Sequence, residues 1–233
     1  MPRNPVNQLR NVIQDAVRSP ADKLVNIFYN PLSGFSGDLL HNFGNNPANQ
    51  FTADDLLAVS TFGIQFSPIT IQRLVASSEA DYLLELLPRP SVPLWKGALP
   101  LPGTPYGEIW ELLLSLDGIG ITSASKLLAR KRPALTPMLD SVVVKHLRLA
   151  KNGYNLTKAE LVPALESLAA AIADDELRAN IDLLQPTPAH HNATPIPTLR
   201  LLDTAIWMQQ SGSRLAKNAR AKVGLIRHSL AHS

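Results

Sequence analysis

The stretch "LLLSLDGIGITSASKLLARKRPALTPMLDSVVVKHL", residues 112–147, sets two glycines one residue apart between two apolar helical patterns, then a lone acid inside a third. Ile109, Leu112, Leu113 and Leu116 recur at i, i+3, i+4 and i+7, and Ile121, Ala124, Leu127 and Leu128 share a face beyond the glycines. That period predicts two amphipathic helices joined by a tight Gly118-Ile119-Gly120 turn. Glycine supplies positive φ and lets another group approach the backbone. Two readings are open. The turn is a corner inside a helical core, or it is a hairpin whose amides and following helix N-terminus meet a nucleic-acid phosphate. In the second reading Lys126 and Arg130, at i and i+4 on the second helix, extend the contact.

Outward from this stretch the helical period persists. Thr52 followed by Asp55, and Thr157 followed by Glu160, are helix starts, the second a capping box. Strand-like alternation is nearly absent, so the fold class is all-α. Residues 88–107 carry six prolines and three glycines, and residues 186–197 carry four more prolines. These divide the chain into an N-terminal helical region (1–87), a Pro-rich loop (88–107), the hairpin and the helices after it (108–185), a linker (186–197) and C-terminal helices (198–233). A loop as long as the first, inside a compact domain, tends to carry function or disorder.

Composition narrows the chemistry. The chain has 233 residues, 45% of them apolar, enough for a real core, and no cysteine. Disulfides, cysteine-ligated zinc and iron–sulfur clusters are therefore excluded. No long uncharged apolar run is present, and the reading is a soluble protein of the cytoplasm. The net charge of +3 is uneven. Arg200, Arg214, Lys217, Arg220, Lys222 and Arg227 face Asp203 alone, and "ARKR" at 129–132 forms a second cluster. Either cluster can lie on a polyanion or be an ordinary solvated helix face.

Leu116, Gly118, Ile119 and Gly120, then Pro137, Met138, Leu139 and Asp140, then Val143, Lys145 and His146, resemble the helix-hairpin-helix DNA glycosylase superfamily, most closely its adenine-mismatch branch. The resemblance implies two helical subdomains with a cleft between them, double-stranded DNA as partner, a monomer, and no cofactor. It marks Gly118, Ile119, Gly120, Thr122, Lys126 and Arg130 as DNA contacts and Asp140 as the catalytic carboxylate. Bifunctional members carry a lysine where this chain has Thr122, so the implied enzyme is monofunctional and leaves an abasic site. An ionised Asp140 would stabilise the oxocarbenium-like sugar as the base departs. With Thr136 as N-cap and Pro137 at the first helical position, Asp140 falls in a helix's first turn, where an acid is also ordinary helix chemistry.

A base must leave the duplex to be cut. Trp95, Tyr106 and Trp110, with Glu108 or Glu111, are the candidate pocket, while Trp207 reads as helix packing. His190 and His191 read as loop residues, not metal ligands. The excised base is open, and the missing cluster and lysine turn the expectation toward modified or foreign DNA, including phage DNA. A non-catalytic DNA clamp built on the same hairpin is the alternative, and a helical scaffold that no longer binds DNA is the third.

Overall fold

The computed structural model describes residues 5–87, 92–97, 99–187 and 195–224. Among them thirteen α-helices follow one another, with no strand: α1 (Pro5–Ala16), α2 (Ala21–Tyr29), α3 (Leu39–Asn42), α4 (Ala53–Ser60), α5 (Pro68–Val75), α6 (Ser78–Leu86), α7 (Pro105–Ser115), α8 (Ile121–Lys131), α9 (Ser141–Leu147), α10 (Lys158–Ile172), α11 (Asp175–Asp182), α12 (Thr198–Gln210) and α13 (Arg214–Lys222). The protein is all-α.

Local chemistry accounts for many of the helix starts. Thr52 and Asp55 close a full capping box on α4, and Glu160 accepts the Thr157 amide at 2.9 Å ahead of α10. Helix α7 begins inside the Pro-rich stretch, because Thr104 caps the Gly107 amide at 3.1 Å and Pro105 takes the first helical position. Part of that stretch is thus helix, and residues Leu94–Lys96 form a 3₁₀ turn.

The principal packings fall into two sets. Helix α12 packs on α2, α9, α11 and α13, and α1 packs on α9, α10 and α12. In the other set α4 packs on α3, α5 and α8, while α7 packs on α6 and α8. The 3₁₀ turn at 94–96 meets α10, and its Leu94 amide donates to the Ala134 carbonyl just beyond α8 at 3.0 Å, which links the sets. One continuous apolar core runs through both, including Ile109 and Leu113 of α7 and Ala124, Leu127 and Leu128 of α8. Full burial of each such leucine or isoleucine favours folding by about 1.5–3 kcal/mol.

The basic run at 129–132 corrects an expectation. Arg130, Lys131 and Arg132 are all buried. Asp55 accepts from both Arg130 Nε and Lys131 Nζ, and Arg130 also donates to the Phe43 carbonyl at 2.7 Å. Arg132 donates to the Ala48 carbonyl at 2.8 Å and to that of Leu84 at 2.6 Å. These cations fasten the end of α8 to the chain around α3, α4 and α6. Arg130 is 1% exposed and cannot serve as a phosphate contact.

Candidate functional site

Asp140 is placed by backbone groups that find partners outside their own segment. The Met138 amide donates to Asp203 Oδ2 at 2.9 Å. The Leu139 amide donates to Ser125 Oγ at 3.0 Å, and Thr122 Oγ1 donates to the Leu139 carbonyl at 3.0 Å. Satisfied in this way, residues 136–140 remain non-helical and α9 starts only at Ser141. The expected start at Thr136 and Pro137 is corrected accordingly. Thr136 is buried and bonded to the Tyr106 hydroxyl at 2.9 Å. Asp140 is itself the N-cap, its Oδ1 accepting from the Val142 and Val143 amides at 3.0 and 2.9 Å. Its Oδ2 makes no hydrogen bond to the described residues.

Asp140 lines a cavity of about 240 Å³. Phe28, Phe35 and Trp207 form its aromatic wall, with ring centroids 5.5–6.2 Å apart. Gly37 permits this packing, since a Cβ there would stand 2.5 Å from the Phe28 ring. Four ionisable side chains share the cavity with Asp140: Tyr29, Lys126, Arg200 and Asp203. Burial pushes the Tyr29 phenol up to about 12, against its bond to Thr204. Burial also lowers the Lys126 amine, with Asp140 opposing the shift. Asp203 Oδ2 accepts from Arg200 Nη2, yet burial outweighs that partner and the carboxyl is pushed up to about 6.

The glycine turn lies on the surface. Gly118 is exposed with φ +73, a conformation that favours glycine, and Gly120 is an exposed N-cap. The first-turn amides of α8, like those of any helix, have no intrahelical acceptor, and no N-cap side chain takes its place. The turn is held from below, where Thr70 Oγ1 donates to the Asp117 carbonyl at 2.6 Å.

A family model described as a family of unknown function (DUF6308) matches residues 21–210. The chain belongs to DUF6308. In this DUF6308 chain the match spans the glycine turn, Asp140 and every cavity-lining residue except Leu215. No curated protein and no solved structure matches it.

Several expected site residues of the DUF6308 chain stand elsewhere or act differently. Lys126 is 6% exposed, points into the cavity wall and donates to the Phe62 carbonyl at 3.0 Å, so it is not a phosphate contact. Ile119 turns its side chain into the core, and its amide donates to the Leu116 carbonyl at 3.2 Å. Thr122 spends its hydroxyl inward on Leu139. None of Trp95, Tyr106, Trp110, Glu108 or Glu111 lines the cavity. Trp95 lies half-buried under the Arg178 guanidinium, Tyr106 and Trp110 are core residues, and Glu108 and Glu111 are exposed.

Trp207 packs against the core as its helical position implies, and it lines the cavity as well. Its signal was present: Arg200, Asp203, Thr204 and Trp207 fall at i, i+3, i+4 and i+7, a polar stripe on one helix face. Of the C-terminal cations, Arg200 is buried and Arg220 holds the end of α12 through the Met208 and Ser211 carbonyls, while Arg214, Lys217 and Lys222 are exposed. His190, His191 and Arg227 lie outside the described residues. No helix among the described residues is long and apolar enough to cross a membrane.

Proposed function

We propose that the chain is a monofunctional DNA glycosylase of the helix-hairpin-helix kind, acting as a monomer on duplex DNA. One observation carries the reading: Leu139 is bound through its amide and its carbonyl by Ser125 and Thr122 of α8, which ties the uncapped glycine turn at the start of α8 to Asp140 and so to the cavity that Asp140 lines. The two packing sets are then the two subdomains, and the cavity is their cleft, walled by α2, α9 and α12 from one and by α3 and α8 from the other.

In this reading a backbone phosphate docks on the amides around Gly118 and Gly120, where the N-terminus of α8 adds partial positive charge. The flipped base enters the cavity and stacks on Phe28, Phe35 and Trp207. Leu32, 94% exposed on the turn leading to the cavity-lining residues 34–37, is the apolar wedge for the gap left in the duplex. Asp140 Oδ1 is fixed by two amides, which leaves Oδ2 to face the sugar and stabilise its developing positive charge. Water then adds to C1′ and an abasic site remains. With Thr122 in place of a lysine and the Lys126 amine held by Phe62, no imine forms with the sugar.

A screen tests the proposal. The protein is incubated with duplexes carrying normal, oxidised, deaminated, alkylated or hypermodified phage-type bases, and free base and alkali-labile sites are measured. Release from at least one duplex supports the reading and decides between repair and defence against modified DNA. Tight, salt-sensitive binding with no release from any of them supports the non-catalytic clamp, and no binding at low salt removes both.

A further inference from the structure

The cavity holds a second carboxylate that the mechanism above does not use. Asp203 on α12 is 5% exposed and lines the same cavity as Asp140. Both of its hydrogen bonds, from the Met138 amide and Arg200 Nη2, fall on Oδ2. Oδ1 accepts nothing from the described residues, and it is not among the buried atoms without a partner, so it faces open space. A carboxyl acid held in this way accepts through Oδ2 and carries its proton on Oδ1, toward the cavity.

We propose that Asp203 is the general acid of the reaction and protonates the departing base, which makes the substrate a neutral base that leaves only on protonation, not a cationic alkylated one. This rests on the glycosylase reading. The C1′–N bond breaks with its electron pair going to the base, and the Asp203 Oδ1 proton goes to a basic ring nitrogen or carbonyl oxygen of that base. Asp140 stabilises the sugar cation, water adds to C1′ and releases one proton to solvent, and solvent reprotonates Asp203. Two carboxylates with different surroundings thereby divide acid and stabiliser between them.

The groups around Asp203 favour this division. From α12 itself Arg200 draws the carboxyl toward its charged form, and ahead of α9 Asp140 draws it toward the neutral form, as burial does more strongly. Lys126 of α8 lies on the same cavity, the Tyr29 phenol of α2 stays neutral below about 12, and α13 contributes only Leu215 to the lining. Burial pushes the carboxyl up to about 6. A part of the molecules therefore carries the acid near neutral pH.

Asp203→Asn is the test, since the amide oxygen still accepts from Met138 and Arg200. With a neutral base as leaving group, release by the parent falls as pH rises through about 6, and the Asn variant loses both that limb and roughly 10²-fold or more in rate. On N7-methylguanine, which leaves without a proton, the parent shows little release, and whatever release there is falls far less in the variant than release of the neutral base. Equal loss on both substrates identifies a structural role and overturns the proposal, as does an unchanged rate on the neutral base. Should the parent release only cationic bases, the proposal fails while the glycosylase reading stands; should it release none, both fail. Carboxyl NMR of the parent gives a readout apart from activity, and an Asp203 midpoint near 4 overturns the assignment.

Discussion

Asp140 caps α9 and faces the cavity with the same side chain, and the two roles make different demands on it. An N-cap needs only an acceptor, which asparagine supplies about as well as aspartate. Oxocarbenium stabilisation needs the charge. Asp140→Asn should therefore change folding stability by less than about 1 kcal/mol in urea titration, whereas a loss of several kcal/mol would mean that the charge serves the fold. Asp203 carries a pH signature of its own. Burial pushes its native carboxyl up to about 6, above the ordinary aspartate range of about 4, so across that window the native state holds a proton that the unfolded chain has lost. Stability from this group is complete below about pH 4 and falls as pH rises through 6. Urea titrations between pH 4 and 7 should show this slope in the parent and a flatter one in Asp203→Asn; equal slopes would contradict the assigned shift. Lys126 is the third residue to test. Borohydride should trap no covalent complex with DNA, because Phe62 holds the amine, and a robust adduct would replace the monofunctional mechanism with a lyase.

At the scale of elements, the helices were legible because their signals are local. The Thr52–Asp55 and Thr157–Glu160 starts and the apolar period of α7 and α8 need only neighbouring residues. The start of α9 lies several residues beyond the place its local sequence indicates, because it depends on Asp203, Ser125 and Thr122, which satisfy the 138–139 backbone from two other helices. The cavity was illegible for the same reason. Its walls come from residues 28–40, 61–62, 126–143 and 200–215, and only Asp140 and the polar stripe of α12 give a local sign of a task. Lys126 and Arg130 misled because their helical spacing suggests a solvent face, while Phe62 and Asp55, far off in the chain, give them buried partners.

The glycine turn now offers a clean experiment. Nothing lies within 4 Å of a Cβ added at Gly120, and its φ of −99 suits any residue. Gly120→Val should therefore fold, at a capping cost of about 1 kcal/mol, and lower duplex affinity roughly tenfold or more by keeping a phosphate from the amides. Unchanged affinity would move the DNA contact off the turn. Gly118, at φ +73, would confuse strain with binding.

For the whole molecule, the buried Asp55–Arg130–Lys131 cluster ties α4 to α8, and α8 carries both Lys126 and the side chains that hold Leu139. Removal of the carboxylate leaves two buried cations without their shared anion. Asp55→Ala should cost about 3–5 kcal/mol in urea unfolding, and a cost below about 1 kcal/mol would show that the cluster is not a principal tie between these helices. The fold thus uses its basic residues twice, inward to brace α8 and outward on α13, where Arg214, Lys217 and Lys222 remain exposed.

The most direct measurement of the central claim is single-turnover base release by Asp140→Asn on a duplex that the parent cleaves, with binding of the same duplex followed in parallel. The fold, the cap and the glycine turn all survive the substitution, so the account predicts parental affinity or tighter and release slower by about 10²-fold or more. Release at the parental rate by the folded variant would contradict it, and Asp140 would then be the cap of α9 and nothing further.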